Sequence, residues 1–225
     1  MLDKGFKRGG NDQTLFVKHF DKNIIIAQVY VDDIIFGSTS TSEVKSFSAI
    51  MHKEFHMSLM GELQLFLGFQ VKQNSDGLFV SQTKYALDLV KKFGLENAKV
   101  AKTPMSTTVK LCKDENGKSV DSTLYRSMIG SLLYLTASRP DIMYAVCLCA
   151  RYQNNPKESH LLSVKRIIKY IKGTLNLGLR YTKDTCSTII GYTDADWAGC
   201  TDDNKSSSGA YYYVGNNLVG WSSKK

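Results

Sequence analysis

The chain has 225 residues, 43% of them hydrophobic, which is long enough for one large or two small domains with an ordinary core. Its 29 lysines and arginines exceed its 21 aspartates and glutamates, and the resulting net charge of +8 suits a polyanionic partner without requiring one. No run of about 18 apolar residues occurs and the N-terminus lacks the apolar core of a signal peptide, so the sequence predicts a soluble intracellular protein with no membrane partner.

Two adjacent carboxylates, Asp32 and Asp33, lie between two short runs rich in Ile and Val, at 24–31 and 34–36. Such runs predict two strands of one hairpin, and a strand at about 15–20, after a Gly-rich turn, can pair with the first. Successive strand residues point to opposite faces, so both carboxylates face one opening only if they lie at the bend. Adjacent carboxylates in apolar surroundings repel each other without a cation. A solvated Asp-Asp turn remains the alternative.

A helix is expected from Thr41 or Ser42 to about Phe55, because its apolar residues fall on one face. His52 and His56 are spaced to share a helix face, as metal ligands do, but no Glu follows His52 directly and no third ligand is evident. A structural or solvated role is the simpler interpretation. The five cysteines lack zinc-ligand spacing and are predicted to be reduced core thiols.

The next segments predict a strand over 63–71, a turn at 74–77 and a returning strand at 78–80, which together form a second hairpin. An amphipathic helix follows from Thr83 to Phe93 and ends at Gly94. Residues 97–121 show little periodicity and are predicted to be a linker, with a boundary near 105–120.

Three helices are then predicted: from Ser122 to Ala137, from Ser138 to Tyr152, and onward from the Asn-Pro pair at 155–156. Ser138 is expected to cap the second helix, with Asp141 as its capping-box acid. The third helix has an apolar stripe at 161, 164, 168 and 171. Its basic residues form either a solvated face or a set of phosphate contacts; they are Lys165, Arg166, Lys169 and Lys172. Strands at 188–194, 208–214 and 218–221 then predict an antiparallel meander.

Several separated segments, in order and spacing, resemble the polymerase region of copia-type LTR retrotransposons. They are Tyr-Val-Asp-Asp at 30–33, Phe-Leu-Gly-Phe at 66–69, Ser-Gln-Thr-Lys-Tyr at 81–85, Thr-Pro-Met at 103–105, Tyr-Arg-Ser-Met-Ile-Gly-Ser-Leu-Leu-Tyr-Leu at 125–135, Ser-Arg-Pro-Asp at 138–141, His160, Ile-Lys-Gly-Thr at 171–174 and Asp-Ala-Asp-Trp-Ala at 194–198. The resemblance covers nearly the whole chain.

This resemblance implies an α+β fold in three parts. Residues 1–105 would be the C-terminal part of a reverse transcriptase palm and the start of its thumb. Residues 106–182 would be a linker and helical connection, and 183–225 the N-terminal part of an RNase H-like domain, truncated to a three-stranded antiparallel meander.

The resemblance also assigns roles to single residues. Asp32 and Asp33 would be metal-binding catalytic carboxylates for two Mg²⁺ ions, with Mn²⁺ as an alternative. Asp194 would be the first metal-binding carboxylate of the RNase H region, whereas Asp196 is expected to be a local turn residue. Leu67 and Gly68 would belong to the hairpin that positions the primer.

The implied function is RNA-directed DNA synthesis within a Pol polyprotein, the retrotransposon product that also serves DNA integration. Partners would be an RNA template, a DNA primer, the RNA–DNA hybrid, deoxynucleotides and missing segments of the polyprotein. The family context places it in the cytoplasm, in virus-like particles, with the nucleus as an alternative.

Two departures from the family pattern limit this expectation. Only 31 residues precede Asp32, and none supplies the further palm carboxylate; the chain also stops at Lys225, before the helix that carries the RNase H glutamate. The chain alone is therefore expected to be inactive. The alternative function is an inactive transposon remnant that at most binds nucleic acid.

Overall fold

The computed structural model describes residues 1–106, 110–183 and 185–225. Helices and antiparallel sheets are both present, in agreement with the predicted α+β class. The chain divides into two compact units, Met1–Leu63 and Gln64–Lys225. The three predicted domains, with boundaries after 105 and 182, are a different division and stay a prediction.

The first unit is a four-stranded antiparallel sheet followed by one helix. Its elements are β1 (Lys7–Arg8), β2 (Leu15–Phe20), β3 (Asn23–Tyr30), β4 (Asp33–Ser38) and α1 (Thr41–Glu54). Ile25 and Ala27 of β3 are buried against Phe47 and Met51 of α1, so the predicted hairpin and helix are confirmed. Phe55 follows the last residue of α1, where the backbone becomes extended, and it is 58% exposed. Its predicted place on the apolar face of the helix is therefore wrong.

In its described residues, the second unit contains two sheets and four α-helices. The elements are β5 (Leu65–Phe66), β6 (Phe69–Asn74), β7 (Gly77–Ser81), α2 (Thr83–Lys92), α3 (Ser122–Leu135), α4 (Met143–Ala150), α5 (Glu158–Gly173), β8 (Gly178–Thr182), β9 (Ile189–Ala195), β10 (Ser208–Val214) and β11 (Asn217–Lys224). One sheet has the order β5-β6-β7-β8, and the other is the predicted meander in the order β11-β10-β9. The helices pack around a core of their own apolar side chains.

Two strand predictions need correction. The single strand expected over 63–71 is broken at Leu67 and Gly68, whose φ angles of 48° and 79° turn the chain back on itself. The sequence also did not reveal β8, which completes the sheet by pairing with β7. Its partner is distant in sequence, so no local turn signal marks the pairing.

The predicted start of the second helix is also wrong. The Ser138 hydroxyl donates to Gln82 Oε1 at 2.7 Å instead of capping a helix. Residues Pro140–Ile142 form a 3-10 turn, and α4 begins only at Met143 and ends at Ala150. Asp141 binds the Arg139 guanidinium through both oxygens, at 2.8 and 2.7 Å, and is not a capping-box acid.

The third helix, α5, buries most of its predicted stripe. Val164, Ile168 and Ile171 are fully buried, whereas Leu161 is only partly buried. His160 is buried as well, with its Nδ1 accepting from the Lys157 backbone N–H and its Nε2–H donating to the Cys112 carbonyl. This histidine therefore joins the segment around 112 to the start of α5.

The cysteine and histidine predictions are partly confirmed. All five cysteines are free, but only Cys149 and Cys200 are buried, so the core-thiol prediction holds for those two. His52 lies on α1, where its Nδ1–H donates to the Ser48 carbonyl oxygen at 2.8 Å, whereas His56 lies beyond the helix end, so the two do not share a helix face. Within the described residues, no helix is both long and apolar enough to cross a membrane.

A partly buried ionic network joins the residue before the 3-10 turn to the end of α5. Arg139 is 2% exposed and donates to Asp141 and to the carbonyl and hydroxyl oxygens of Thr174. Burial raises the pKa of Asp141, but the hydrogen bonds and charge of Arg139 and the Tyr170 hydroxyl outweigh it, so the net pKa is lowered. The carboxylate form is therefore favoured in the folded chain.

We expect Asp141→Asn to reduce the free energy of unfolding at pH 7 by about 2–4 kcal/mol, because the buried Arg139 guanidinium loses its counter-charge. A lowered folded pKa stabilises the fold above about pH 4, and this stabilisation is lost as pH falls through the folded value. The variant should therefore show a weaker decline in stability between pH 5 and 3 than the wild type. Urea unfolding at several pH values measures both effects. Asp88→Asn, at an exposed site on α2, is the control; equal pH dependence in wild type and Asp141→Asn would contradict the account.

Candidate functional site

Asp32 and Asp33 lie at the tip of the β3–β4 hairpin. Tyr30 pairs with Asp33, so Val31 and Asp32 form a two-residue turn and Asp33 begins β4. Both aspartates are exposed. Among the residues that the structure describes, neither carboxylate accepts a hydrogen bond or forms an ion pair. The bend therefore presents two free carboxylates to solvent, which is one of the two placements that the sequence left open.

The backbone of this turn is strained. Val31 has a φ of 51°, in the left-handed region that β-branched residues rarely adopt, and its side chain is 82% exposed. Packing of the Val31 side chain therefore does not compensate for the strain. The ladder of six residue pairs between β3 and β4 holds the turn in place.

The two carboxylates have the chemistry of a divalent-cation site. Mg²⁺ prefers carboxylate oxygens and is commonly bound through one or two of them together with substrate phosphates. Two unpartnered, solvent-facing carboxylates on adjacent residues fit this requirement. No group of three His, Cys, Asp or Glu side chains able to hold a metal occurs within 1–106, 110–183 and 185–225. The hairpin tip thus presents two carboxylates of the type that Mg²⁺ prefers.

Asp194 belongs to the other compact unit. It lies on β9, opposite Gly209 of β10, and its Oδ1 accepts from the backbone N–H of Ala195 at 2.8 Å. Asp196 accepts from the backbone N–H groups of Ser207 and Gly199, and these bonds lower its pKa. Asp196 therefore closes a local turn, as predicted.

Leu67 and Gly68 form the two-residue turn between β5 and β6. The Tyr134 hydroxyl of α3 donates to the Leu67 carbonyl oxygen. Sequence reasoning assigned no role to Tyr134, although it lies within one of the matched motifs. A tyrosine on an amphipathic helix carries no signal for a contact with a turn so far away in sequence.

The four basic residues of α5 divide into two pairs. Arg166 donates to the Thr103 carbonyl and hydroxyl oxygens at 3.2 and 2.8 Å, and Lys172 donates to the Ala98 carbonyl at 2.7 Å. These two side chains hold the segment after α2 against α5. Lys165 and Lys169 are half-buried, and their ammonium groups have no partner in the described part of the chain. Phosphate binding by any of the four stays a prediction.

Comparisons with known proteins match the part of the chain that carries the hairpin. A family model described as "Reverse transcriptase (RNA-dependent DNA polymerase)" matches residues 1–107. Over its whole length the chain is 38% identical to the retrovirus-related Pol polyprotein from transposon RE1 and 37% identical to that from transposon RE2, both of Arabidopsis thaliana. The chain belongs to the copia-type Pol polyproteins, and its residues 1–107 belong to their reverse transcriptase part.

The chain covers a small share of the two polyproteins and most of a shorter relative. The chain spans 15% of the RE1 polyprotein and 16% of the RE2 polyprotein. An uncharacterised mitochondrial protein of Arabidopsis thaliana, AtMg00810, is 35% identical over 200 residues, which are 88% of this chain and 82% of that protein. No solved structure matches this reverse transcriptase region.

Relief of the strain at Val31 should be measurable. Asn tolerates a left-handed φ, so we expect Val31→Asn to stabilise the hairpin by about 1 kcal/mol. Hydrogen exchange of the β3 and β4 amides reports local opening of the hairpin and should slow in the variant. Val31→Ala keeps a Cβ at the same φ and should gain less. Unchanged or faster exchange in Val31→Asn would show that Val31 is not strained.

Proposed function

We propose that this chain carries the catalytic hairpin of an RNA-directed DNA polymerase, and that Asp32 and Asp33 hold two Mg²⁺ ions for nucleotidyl transfer. The observation that carries the proposal is the exposed pair of free carboxylates at the β3–β4 tip, within the 107 residues matched by the reverse transcriptase model. In this assignment the first unit is part of a polymerase palm.

The hairpin's own residues would bind the metal ions and hold their own carboxylate oxygens in a fixed orientation. Asp32, in the turn, and Asp33, at the start of β4, place carboxylate oxygens on one exposed tip. When bound, the two metal ions would activate the primer 3′-hydroxyl and offset charge on the leaving group. The strained but firmly paired turn would keep the two oxygens in place without rearrangement during the reaction.

The second unit would contact the nucleic acid. We assign primer positioning to the Leu67–Gly68 turn, with the template–primer duplex of RNA and DNA as substrate, and the start of a thumb to the segment through α2. Lys165 and Lys169 are the stronger candidates for phosphate contacts, because Arg166 and Lys172 are already bonded within the chain. Phosphate contacts of this kind weaken as salt concentration rises.

For Asp194 we propose a metal-binding role in RNase H chemistry, cleavage of the RNA strand of an RNA–DNA hybrid. Its exposed position at the end of β9 is consistent with this role. Only one of its carboxylate oxygens is engaged by a described group, namely the Ala195 N–H. The other oxygen is available as a ligand.

A second candidate function is nucleic-acid binding without catalysis. It is favoured by the absence, among the described residues, of a third acidic or other ligating side chain grouped with Asp32 and Asp33. A site of two carboxylates binds Mg²⁺ weakly, since Mg²⁺ gives up its water reluctantly. We therefore expect the isolated chain to bind a primer–template but to extend it only when a further carboxylate is supplied from outside the described residues.

Primer extension on an RNA template, with a DNA primer, deoxynucleotides and Mg²⁺, tests the proposed polymerase role. In a Pol polyprotein carrying this chain, Asp32→Asn should reduce extension by about a hundredfold or more, because the metal ions contribute several kcal/mol to the transition state. Asp21→Asn changes an exposed turn aspartate of the same sheet and should leave extension intact.

Two outcomes would revise the proposal. Extension that is unchanged in Asp32→Asn would remove Asp32 from the metal site. Extension by the isolated 225-residue chain would contradict the need for a further carboxylate. Binding of primer–template that survives Mg²⁺ chelation and fades with salt, together with no extension in either form, would favour the non-catalytic alternative.

A further inference from the structure

The Leu67–Gly68 turn has little strand pairing of its own. β5 contains two residues; Leu65 pairs with Gln70 and Phe66 with Phe69, and one further backbone bond runs from the Val71 N–H to the Gln64 carbonyl at 2.8 Å. Both turn residues have a positive φ, and for Leu67 this conformation is unfavourable. β6 is paired with β7 on its other side, whereas β5 is a short edge strand, so a contact from outside the hairpin adds to the order of the turn.

The fixing contact comes from helix α3. The Tyr134 hydroxyl donates to the Leu67 carbonyl oxygen. The same hydroxyl lies so close to Gly68 that a Cβ at that position would overlap it. One phenol oxygen therefore contacts the backbone of both turn residues, and Gly68 is needed for close approach as well as for its φ of 79°.

The Tyr134 ring is itself held in place. It meets the Tyr85 ring edge-on, with 4.8 Å between centroids and 75° between planes. The Tyr85 hydroxyl in turn donates to the Ser131 carbonyl of α3 at 3.1 Å. The position of the turn is thus set by α2 and α3 together, through two tyrosines.

The contact lies near the surface, where Tyr134 is 42% exposed and Leu67 is 38% exposed. A half-exposed tyrosine adds little to the core, so the main effect of its hydroxyl is to order the turn. Ordering a binding loop in advance reduces the entropy lost on binding.

We infer that Tyr134 is a positioning residue: its hydroxyl orders the Leu67–Gly68 turn and thereby strengthens binding of a recessed primer 3′ end. This inference rests on the primer-positioning role proposed above for the turn. Tyr134 need not touch the nucleic acid and acts through the Leu67 carbonyl.

The test uses the full 225-residue chain in two assays. Fluorescence anisotropy gives the Kd for an RNA–DNA duplex with a recessed primer 3′ end and for a blunt duplex of the same length. Hydrogen exchange of the peptide covering 64–70 reports the order of the turn. The variants are Tyr134→Phe, which keeps the ring and removes the hydroxyl, and Tyr144→Phe, whose half-exposed hydroxyl has no hydrogen-bond partner among the described residues.

We expect Tyr134→Phe to weaken binding of the recessed duplex by about threefold to tenfold, the usual effect of one lost neutral hydrogen bond. Affinity for the blunt duplex should not change, and exchange in 64–70 should become faster. Tyr144→Phe should match the wild type in both assays. Gly68→Ala, which forces the hydroxyl away, should reproduce the Tyr134→Phe result.

The two assays separate the possible failures. Unchanged exchange in Tyr134→Phe would show that the hydroxyl does not order the turn and would overturn the inference. Faster exchange with equal loss on both duplexes, or with no loss on either, would overturn the link to the primer end. A wild-type chain that binds recessed and blunt duplexes equally would contradict the proposed role of the turn itself, whatever Tyr134 does.

Discussion

The register of β3 against β4 determines where the two carboxylates lie. Because Tyr30 pairs with Asp33, only Val31 and Asp32 are left to reverse the chain. A shift by one residue would move Ile34 and Phe36 from the core-facing side to the other face of the sheet and carry Asp33 away from the tip. Burial of Ile25 and Ala27 against α1 fixes this register, since these side chains cannot exchange faces without exposing the core. The apolar packing of the first unit is thus the condition for the acidic tip.

In the second unit, polar contacts fix segments that packing alone would leave loose. Arg166 and Lys172 hold the chain after α2, His160 holds the segment around 112, and Arg139 joins α4 to the end of α5. Each donor reaches a backbone carbonyl group and thereby holds the segment that carries it. The same principle operates at the Leu67 carbonyl, where the donor is Tyr134. The proposed substrate-contacting turn is held by the same type of contact as these structural segments.

The parts of the fold that were predictable are those with strong local signals. The Ile- and Val-rich runs around Asp32 specify strands by composition, and the helices from Thr83 and Ser122 are specified by their apolar spacing. The errors arose where distant contacts decide the outcome. The Ser138 hydroxyl donates to the Gln82 side chain and does not cap a helix. Strand β8 joins a sheet whose other strands lie far upstream in the sequence.

The candidate site was predictable to a similar degree. Two adjacent carboxylates between apolar strands were visible in the sequence, but their exposure at the bend required the pairing register. The use of Arg166 and Lys172 within the chain, and the contact of Tyr134 with Leu67, depend on tertiary structure and leave no sequence pattern.

The most direct test of the central claim is paramagnetic broadening of backbone amide NMR signals by Mn²⁺ in the ¹⁵N-labelled chain. If Asp32 and Asp33 form the metal site, the signals of residues 31–34 should broaden first, Mg²⁺ should reverse the effect, and the double variant Asp32→Asn, Asp33→Asn should lose it. Broadening centred on other residues, or equal in the double variant, would contradict the assignment of the catalytic metal site to this hairpin.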